Sequence, residues 1–151
     1  MHRQSTQRGI DLTKSFEGFS PTRYLCPAYI WTIGIGHAIR RGEKWDSLTA
    51  TITEQEALEL LDKDNNEAEK AVSRLIRVPL TDSQFDSLVD FTFNMGSGAL
   101  QRSTLRSCLN RGEYADAADQ LLRWIWGGGR KLPGLVRRRV AERNMFLSEM
   151  Y

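Results

Sequence analysis

The stretch EGFSPTRYLCPAYIWTIGIGH, residues 17–37, decides how this chain is read, because a helical pattern stops at its first residue and a strand pattern begins within it. Upstream, Ile10, Phe16 and Phe19 recur near multiples of a helical turn, so a first helix is expected to run to about Glu17 and end at Gly18. Inside the stretch, aromatic and β-branched residues are crowded together and broken by Pro27, Gly34 and Gly36, which predicts a small antiparallel hairpin or sheet. Glu17 thus sits where helix gives way to sheet. Cys26 and Thr32 lie nine and fifteen residues beyond it on the expected hairpin.

Downstream the pattern turns helical. Thr53 stands three residues before Glu56, a capping-box spacing, and Leu60, Leu61, Ala68, Val72, Leu75 and Ile76 follow on a roughly helical period. This longest helix is expected to bridge a small β-containing lobe and a helical one. Thr81 and Gln84 repeat the capping box before FDSLVDFTFNMG, which Gly96 or Gly98 should end. Ser103 is expected to cap TLRSCLN, and YADAADQLLRWIW to run as a helix to Gly127–Gly129. Pro133 and Gly134 precede a last helix with Val136, Val140 and Leu147 on one side. The architecture implied is α+β, one small antiparallel sheet on a mainly helical body.

A chain of 151 residues with 40% hydrophobic and 26% charged residues can bury a single core, which excludes a disordered or fibrous class. The first ten residues lack the apolar core of a signal peptide, and no apolar run is long enough to span a membrane. Cys26 and Cys108 show neither a disulfide framework nor metal-ligand spacing, so both are read as free thiols, with no metal and no cofactor implied. The net charge is only +2, but Arg123, Arg130, Lys131, Arg137, Arg138, Arg139 and Arg143 make the last third basic and favour an anionic partner. No nucleic-acid motif accompanies these charges. Gly34-Ile35-Gly36 lacks the helix and third glycine of a dinucleotide site.

A carboxyl at a helix end facing two small polar side chains on a hairpin suits the splitting of a glycosidic bond. That reaction needs an acid for the leaving oxygen and commonly a second group on the other face of the sugar. Here the chain resembles the phage-type lysozymes, whose signature is Glu, eight residues, Asp or Cys, five residues, Thr; Glu17, Cys26 and Thr32 match it, followed by Ile33-Gly34-Ile35-Gly36-His37. Residues 84–114 and 133–146 also resemble the family's helical lobe in order and spacing. The resemblance implies one lysozyme-like domain over residues 1–151, with a β-containing lobe at about 18–65 and a helical lobe at about 66–151 that includes the N-terminal helix.

It further implies a monomeric endolysin that hydrolyses the β-1,4 bond between N-acetylmuramic acid and N-acetylglucosamine in peptidoglycan, held in the host cytoplasm until a phage-encoded pore admits it to the wall. Glu17 is then the acid, with Phe16, Phe19 and Tyr24 as apolar neighbours able to favour its protonated form. Cys26 stands where many relatives carry Asp. A thiol with an ordinary pKa of about 8.5 is mostly protonated near neutrality, and three roles are open to it: base as thiolate, transient nucleophile, or positioner of water. An inverting reaction, with water between Cys26 and Thr32, is the preferred reading.

Asn94 is expected to bond the sugar's amide beside Phe93, and Gly36 to let backbone approach the substrate or bend the sheet. By the same resemblance His37 is structural and pairs with Asp64. The Arg137–Arg139 run reads either as a solvated helix face or as the source of one partner for Glu17. Lytic transglycosylase and non-catalytic wall-binding readings compete with hydrolysis, and outer-membrane attraction through the last helix is a weaker addition.

Overall fold

The computed structural model describes residues 1–150. Helix α1 (Gln7–Phe16) leads into strands β1 (Phe19–Leu25), β2 (Trp31–Ile35) and β3 (His37–Ala38), which form an antiparallel sheet in the order β1-β2-β3. Between the pairs Ser20↔Gly34 and Tyr24↔Thr32, β1 advances four residues while β2 advances two. This bulge turns the hairpin end relative to its base.

The long helix α2 (Glu54–Leu75) starts at Thr53, where both arms of the expected capping box are made: Glu56 N–H donates to Thr53 Oγ1 at 3.1 Å and Thr53 N–H to Glu56 Oε1 at 3.0 Å. Its first turns pack Ala57 and Leu61 against Ile33, Ile35 and Ile52 of the sheet region. Its second half joins Ala68, Val72 and Leu75 to a larger core with Phe85, Leu88, Phe91, Leu109, Leu121 and Phe146. One helix therefore serves two cores, and Phe93 packs against both.

The remaining helices are α3 (Asp82–Met95), α4 (Ser97–Gln101), α5 (Thr104–Asn110), α6 (Tyr114–Leu121) and α7 (Pro133–Leu147). Thr81 and Gln84 form the second capping box, Gly96 at φ +93° ends α3, and Ser103 caps α5.

Two expectations are corrected. The helix begun at Tyr114 does not reach Gly127; it ends at Leu121, and strands β4 (Trp126–Gly127) and β5 (Arg130–Lys131) follow. Gly128 and Gly129 both lie at positive φ, which makes them a two-residue hairpin turn and draws their neighbours into extended backbone. On α7, Val140 is 43% exposed, whereas Arg138, Arg139 and Glu142 are buried together with Met145 and Phe146. The inward face of the last helix is largely ionic, so an apolar count cannot find it.

Candidate active site

A cleft of about 820 Å³ opens between the sheet and the helical body. Glu17, Cys26, Thr32, Gly36, Phe93 and Asn94 all line it, as do His37 and Asp64.

Glu17 is the residue at which α1 ends. Its backbone turns extended, at φ −111° and ψ 120°, and its N–H donates to Lys14 O. Thr13, one turn earlier, reaches the same region. The expected apolar setting for Glu17 is corrected in part: Phe19 is exposed, and the nearest charged partner is Arg138, whose Nη1 donates to Glu17 Oε1 at 2.6 Å. The same guanidinium donates through Nε and Nη2 to both oxygens of Asp90, at 3.0 and 2.8 Å. Asp90 also accepts from Thr13 Oγ1 at 2.7 Å. Burial opposes the charge on Asp90, but hydrogen bonds from Glu142, Arg138 and Thr13 and the Arg138 charge win, holding its carboxyl down at about 2. Burial likewise opposes the Arg138 charge, yet Asp90 and Glu17 hold the guanidinium more firmly protonated than usual. The solvated-face reading of the arginine run is thus wrong for Arg138 and Arg139, which are buried, and right for Arg137.

Gly36, at φ +70°, has a use beyond those expected. A Cβ there would lie 2.5 Å from Glu17 Cδ and Oε2, so the absent side chain makes room for the carboxylate. Tyr24 is a further neighbour: burial pushes its phenol up, and the charges of Glu17 and then Cys26 push the same way.

Cys26 and Thr32 are locked together by one carbonyl. Ile30 O accepts from Cys26 N–H at 3.0 Å and from Thr32 Oγ1 at 2.9 Å. With its proton engaged, the Thr32 hydroxyl offers its oxygen to the cleft side as an acceptor. Cys26 is half-buried, and both cysteines are free thiols.

Asn94 Oδ1 accepts from Arg139 Nη2 at 2.7 Å. A guanidinium has no acceptor, so the amide oxygen must face it and the NH₂ group is left to donate elsewhere. Arg139 also donates to Glu142 Oε2 at 3.0 Å. Burial, with Asp90 close by, raises the Glu142 carboxyl well above its ordinary range.

His37 is buried, with Nδ1 2.6 Å from Asp64 Oδ2 and Nε2 2.7 Å from Glu43 Oε1. Burial disfavours its charged form, but the two carboxylates outweigh burial and raise its pKa. Both ring nitrogens then donate, tying β3 to α2 and to the loop holding Glu43.

Sequence reasoning missed Asp90, Glu142 and Glu43, and left Arg138 unresolved within its run. A signal existed for the first two. Asp90 stands between Val89 and Phe91 in an apolar helix, and Glu142 follows Arg138 and Arg139 by four and three residues.

A small sheet joined by one long helix to a helical body, with a helix-end carboxylate facing the cleft between them, is a lysozyme-like α+β fold. The chain belongs to the phage lysozyme family, whose model matches residues 14–142. It is 41% identical to the endolysin of Bacillus phage B103 over 95% of this chain and 54% of that protein, so it spans about half that relative's length. With the endolysin of Salmonella phage P22 it shares 38% identity over 96% of this chain and 99% of the relative. The muramidase domain of SpmX from Asticaccaulis excentricus superposes with a TM-score of 0.81 at 34% identity, covering 97% of this chain and 99% of that one.

Proposed function

We propose that the chain, as a single lysozyme domain, hydrolyses the β-1,4 bond between N-acetylmuramic acid and N-acetylglucosamine in bacterial peptidoglycan. One observation carries the reading: the Glu17 carboxylate and the Cys26–Thr32 pair line the same cleft from different elements, each held by its own hydrogen bonds. Glu17 gives its proton to the leaving glycosidic oxygen. A water held by Cys26 and Thr32 attacks the anomeric carbon from the opposite face, and its released proton passes to Cys26 as thiolate or to solvent. The configuration inverts.

Asp90 remains ionised and already neutralises Arg138, so a proton arriving on Glu17 leaves the guanidinium with a counter-charge. Arg138 and Gly36 together fix where the carboxyl stands. Asn94, oriented by Arg139, presents an amide donor suited to the carbonyl of an N-acetyl group. His37, Asp64 and Glu43 hold the sheet to the long helix and take no chemical step.

The deciding experiment is a reducing-end assay on purified peptidoglycan with Glu17→Gln and Cys26→Ser beside the unaltered chain, with the product anomer followed by NMR. Glu17→Gln should lose at least a hundredfold in rate while keeping its fold, in the range of one general acid. Full activity in that variant refutes the assignment. An anhydro sugar in the products makes the chain a transglycosylase, and binding without new reducing ends makes it a wall-binding module. Among the described residues no helix is long and apolar enough to cross a membrane. The route to the wall on this reading is a phage-encoded pore, checked by whether cells making the chain lyse only once their inner membrane is opened.

A further inference from the structure

Half of the large apolar side chains that the described residues expose gather at one edge of the molecule. Leu25, Tyr29, Ile30 and Trp31 stand at the β1–β2 hairpin end, and Trp126 stands on β4. Leu25 and Trp31 are direct cross-strand partners. The two hairpins are in contact: a Cβ on Gly127 would come within 3.1 Å of Ala28 Cβ, one on Gly128 within 2.7 Å of the Tyr29 ring, and Arg130 Nη2 donates to Pro27 O at 3.1 Å. Tyr29 and Trp126 are each 61% exposed. A clustered apolar edge of this kind marks an interaction surface, whereas scattered exposed residues do not.

The charge at this edge has one sign. No Asp or Glu occurs between Glu17 and Glu43, nor between Asp119 and Glu142, the two segments that build it. Arg23 lies over the Trp31 ring at 4.1 Å and Arg130 over Tyr29 at 5.3 Å. Among the described residues Arg23, Arg130 and Lys131 have no carboxylate partner, in contrast to Arg40, Arg111 and Arg143, which do. Basic side chains beside exposed Trp, Tyr and branched aliphatics match the boundary layer of a membrane, where aromatic rings sit at headgroup level and cations meet phosphates.

We propose that this edge docks the protein on an anionic phospholipid bilayer. A glycan strand fits it less well. Leu25 and Trp31 lie outside the cleft lining, Leu25 and Ile30 offer no flat face to a sugar, and the hairpin carries no amide or carboxylate side chain for hydroxyl groups. The last helix, the other basic candidate, has turned two of its arginines inward. Because Ile30 and Trp126 also border the cleft, a docked molecule holds its cleft mouth at the lipid surface. The proposal stands apart from the reaction proposed above and is tested without it.

The test is co-sedimentation of the full chain with vesicles of phosphatidylglycerol and phosphatidylethanolamine, against vesicles of phosphatidylcholine, with tryptophan emission recorded in parallel. The unaltered chain should partition onto the anionic vesicles with a blue-shifted emission and leave the neutral ones. The double variant Leu25→Ser/Trp31→Ser should bind at least tenfold more weakly, with its unfolding midpoint and its clearing of purified wall preserved. Lys131→Glu should weaken binding at least fivefold, since each basic residue near an anionic surface is worth about that factor. If the double variant fails to fold, the Lys131→Glu result decides. Equal binding to both vesicle types, or binding that both variants leave unchanged, overturns the proposal. Emission that responds to chitin oligosaccharides and not to vesicles also overturns it and makes the edge an extension of the glycan cleft.

Discussion

On the proposed reaction, Gly36→Ala should cripple turnover through Glu17, while Gly34→Ala, two residues earlier on β2, should not. Both glycines sit at positive φ, +70° and +68°, so an added Cβ costs each about 1–2 kcal/mol of backbone energy. Their surroundings separate them. At Gly34 the new Cβ meets Ala57 Cβ at 3.3 Å and Ile52 Cδ1 at 3.5 Å, a tight contact that a few tenths of an ångström relieve. At Gly36 it would lie 2.5 Å from Glu17 Cδ and Oε2 and 2.9 Å from Cγ. Favourable non-bonded contacts between such atoms begin near ~3.5 Å, so the carboxyl must retreat by roughly 1 Å and stretch its 2.6 Å bond to Arg138. A displacement of that size at a reacting group costs on the order of a hundredfold in rate. The assay pairs chemical denaturation of both variants with reducing-end release per folded molecule. Gly36→Ala should lose about 1–3 kcal/mol more stability than Gly34→Ala, the worth of the strained charge-assisted hydrogen bond, and the rates per folded molecule should differ by about a hundredfold. A Gly36→Ala rate within threefold of Gly34→Ala would refute the claim that Gly36 exists to seat Glu17.

Three further outcomes follow from the buried charges. His37→Asn should lower stability more than activity. Because the raised His37 pKa makes its contribution full below the ordinary imidazole value of 6.5 and lost as pH rises through the folded value, the gap in unfolding midpoint between variant and parent should narrow toward alkaline pH. Asp90 has the opposite sign: its carboxyl falls from 3.8 to about 2, so roughly 2 kcal/mol of stability present above pH 4 should be lost as pH drops toward 2. Urea unfolding at pH 5 and pH 2.5 should show that loss in the parent, and an undiminished loss in Asp90→Asn would sink it. Arg139→Lys keeps a charge but cannot serve Asn94 and Glu142 as a fork does; KM should rise about fivefold, the worth of one net hydrogen bond, with kcat within twofold. A fall in kcat at unchanged KM would remove Arg139 from the orientation of Asn94.

What the sequence determined by itself is local. Capping boxes at Thr53 and Thr81 involve groups three residues apart, so their side chains meet as soon as the helix starts, and both helices begin where the pattern places them. The order of Glu17, Cys26 and Thr32 is equally local: a helix end followed by a hairpin delivers all three to one cleft.

Tertiary structure alone decided the rest. Glu17 and Arg138 are 121 residues apart, and Arg138 differs from Arg137 and Arg139 only in the direction that α7 gives it when it packs on α3. A periodicity reading assumes that charged side chains face water, since an unpaired buried charge is prohibitively costly. It fails at Arg138 because Glu17, at the end of α1, and Asp90 on α3 supply the counter-charges and hydrogen bonds that make its burial tolerable. The exposed edge at Trp31 and Trp126 is equally non-local. A short apolar run does not show which of its side chains a core covers, and only the contact between two distant hairpins shows that these stay uncovered.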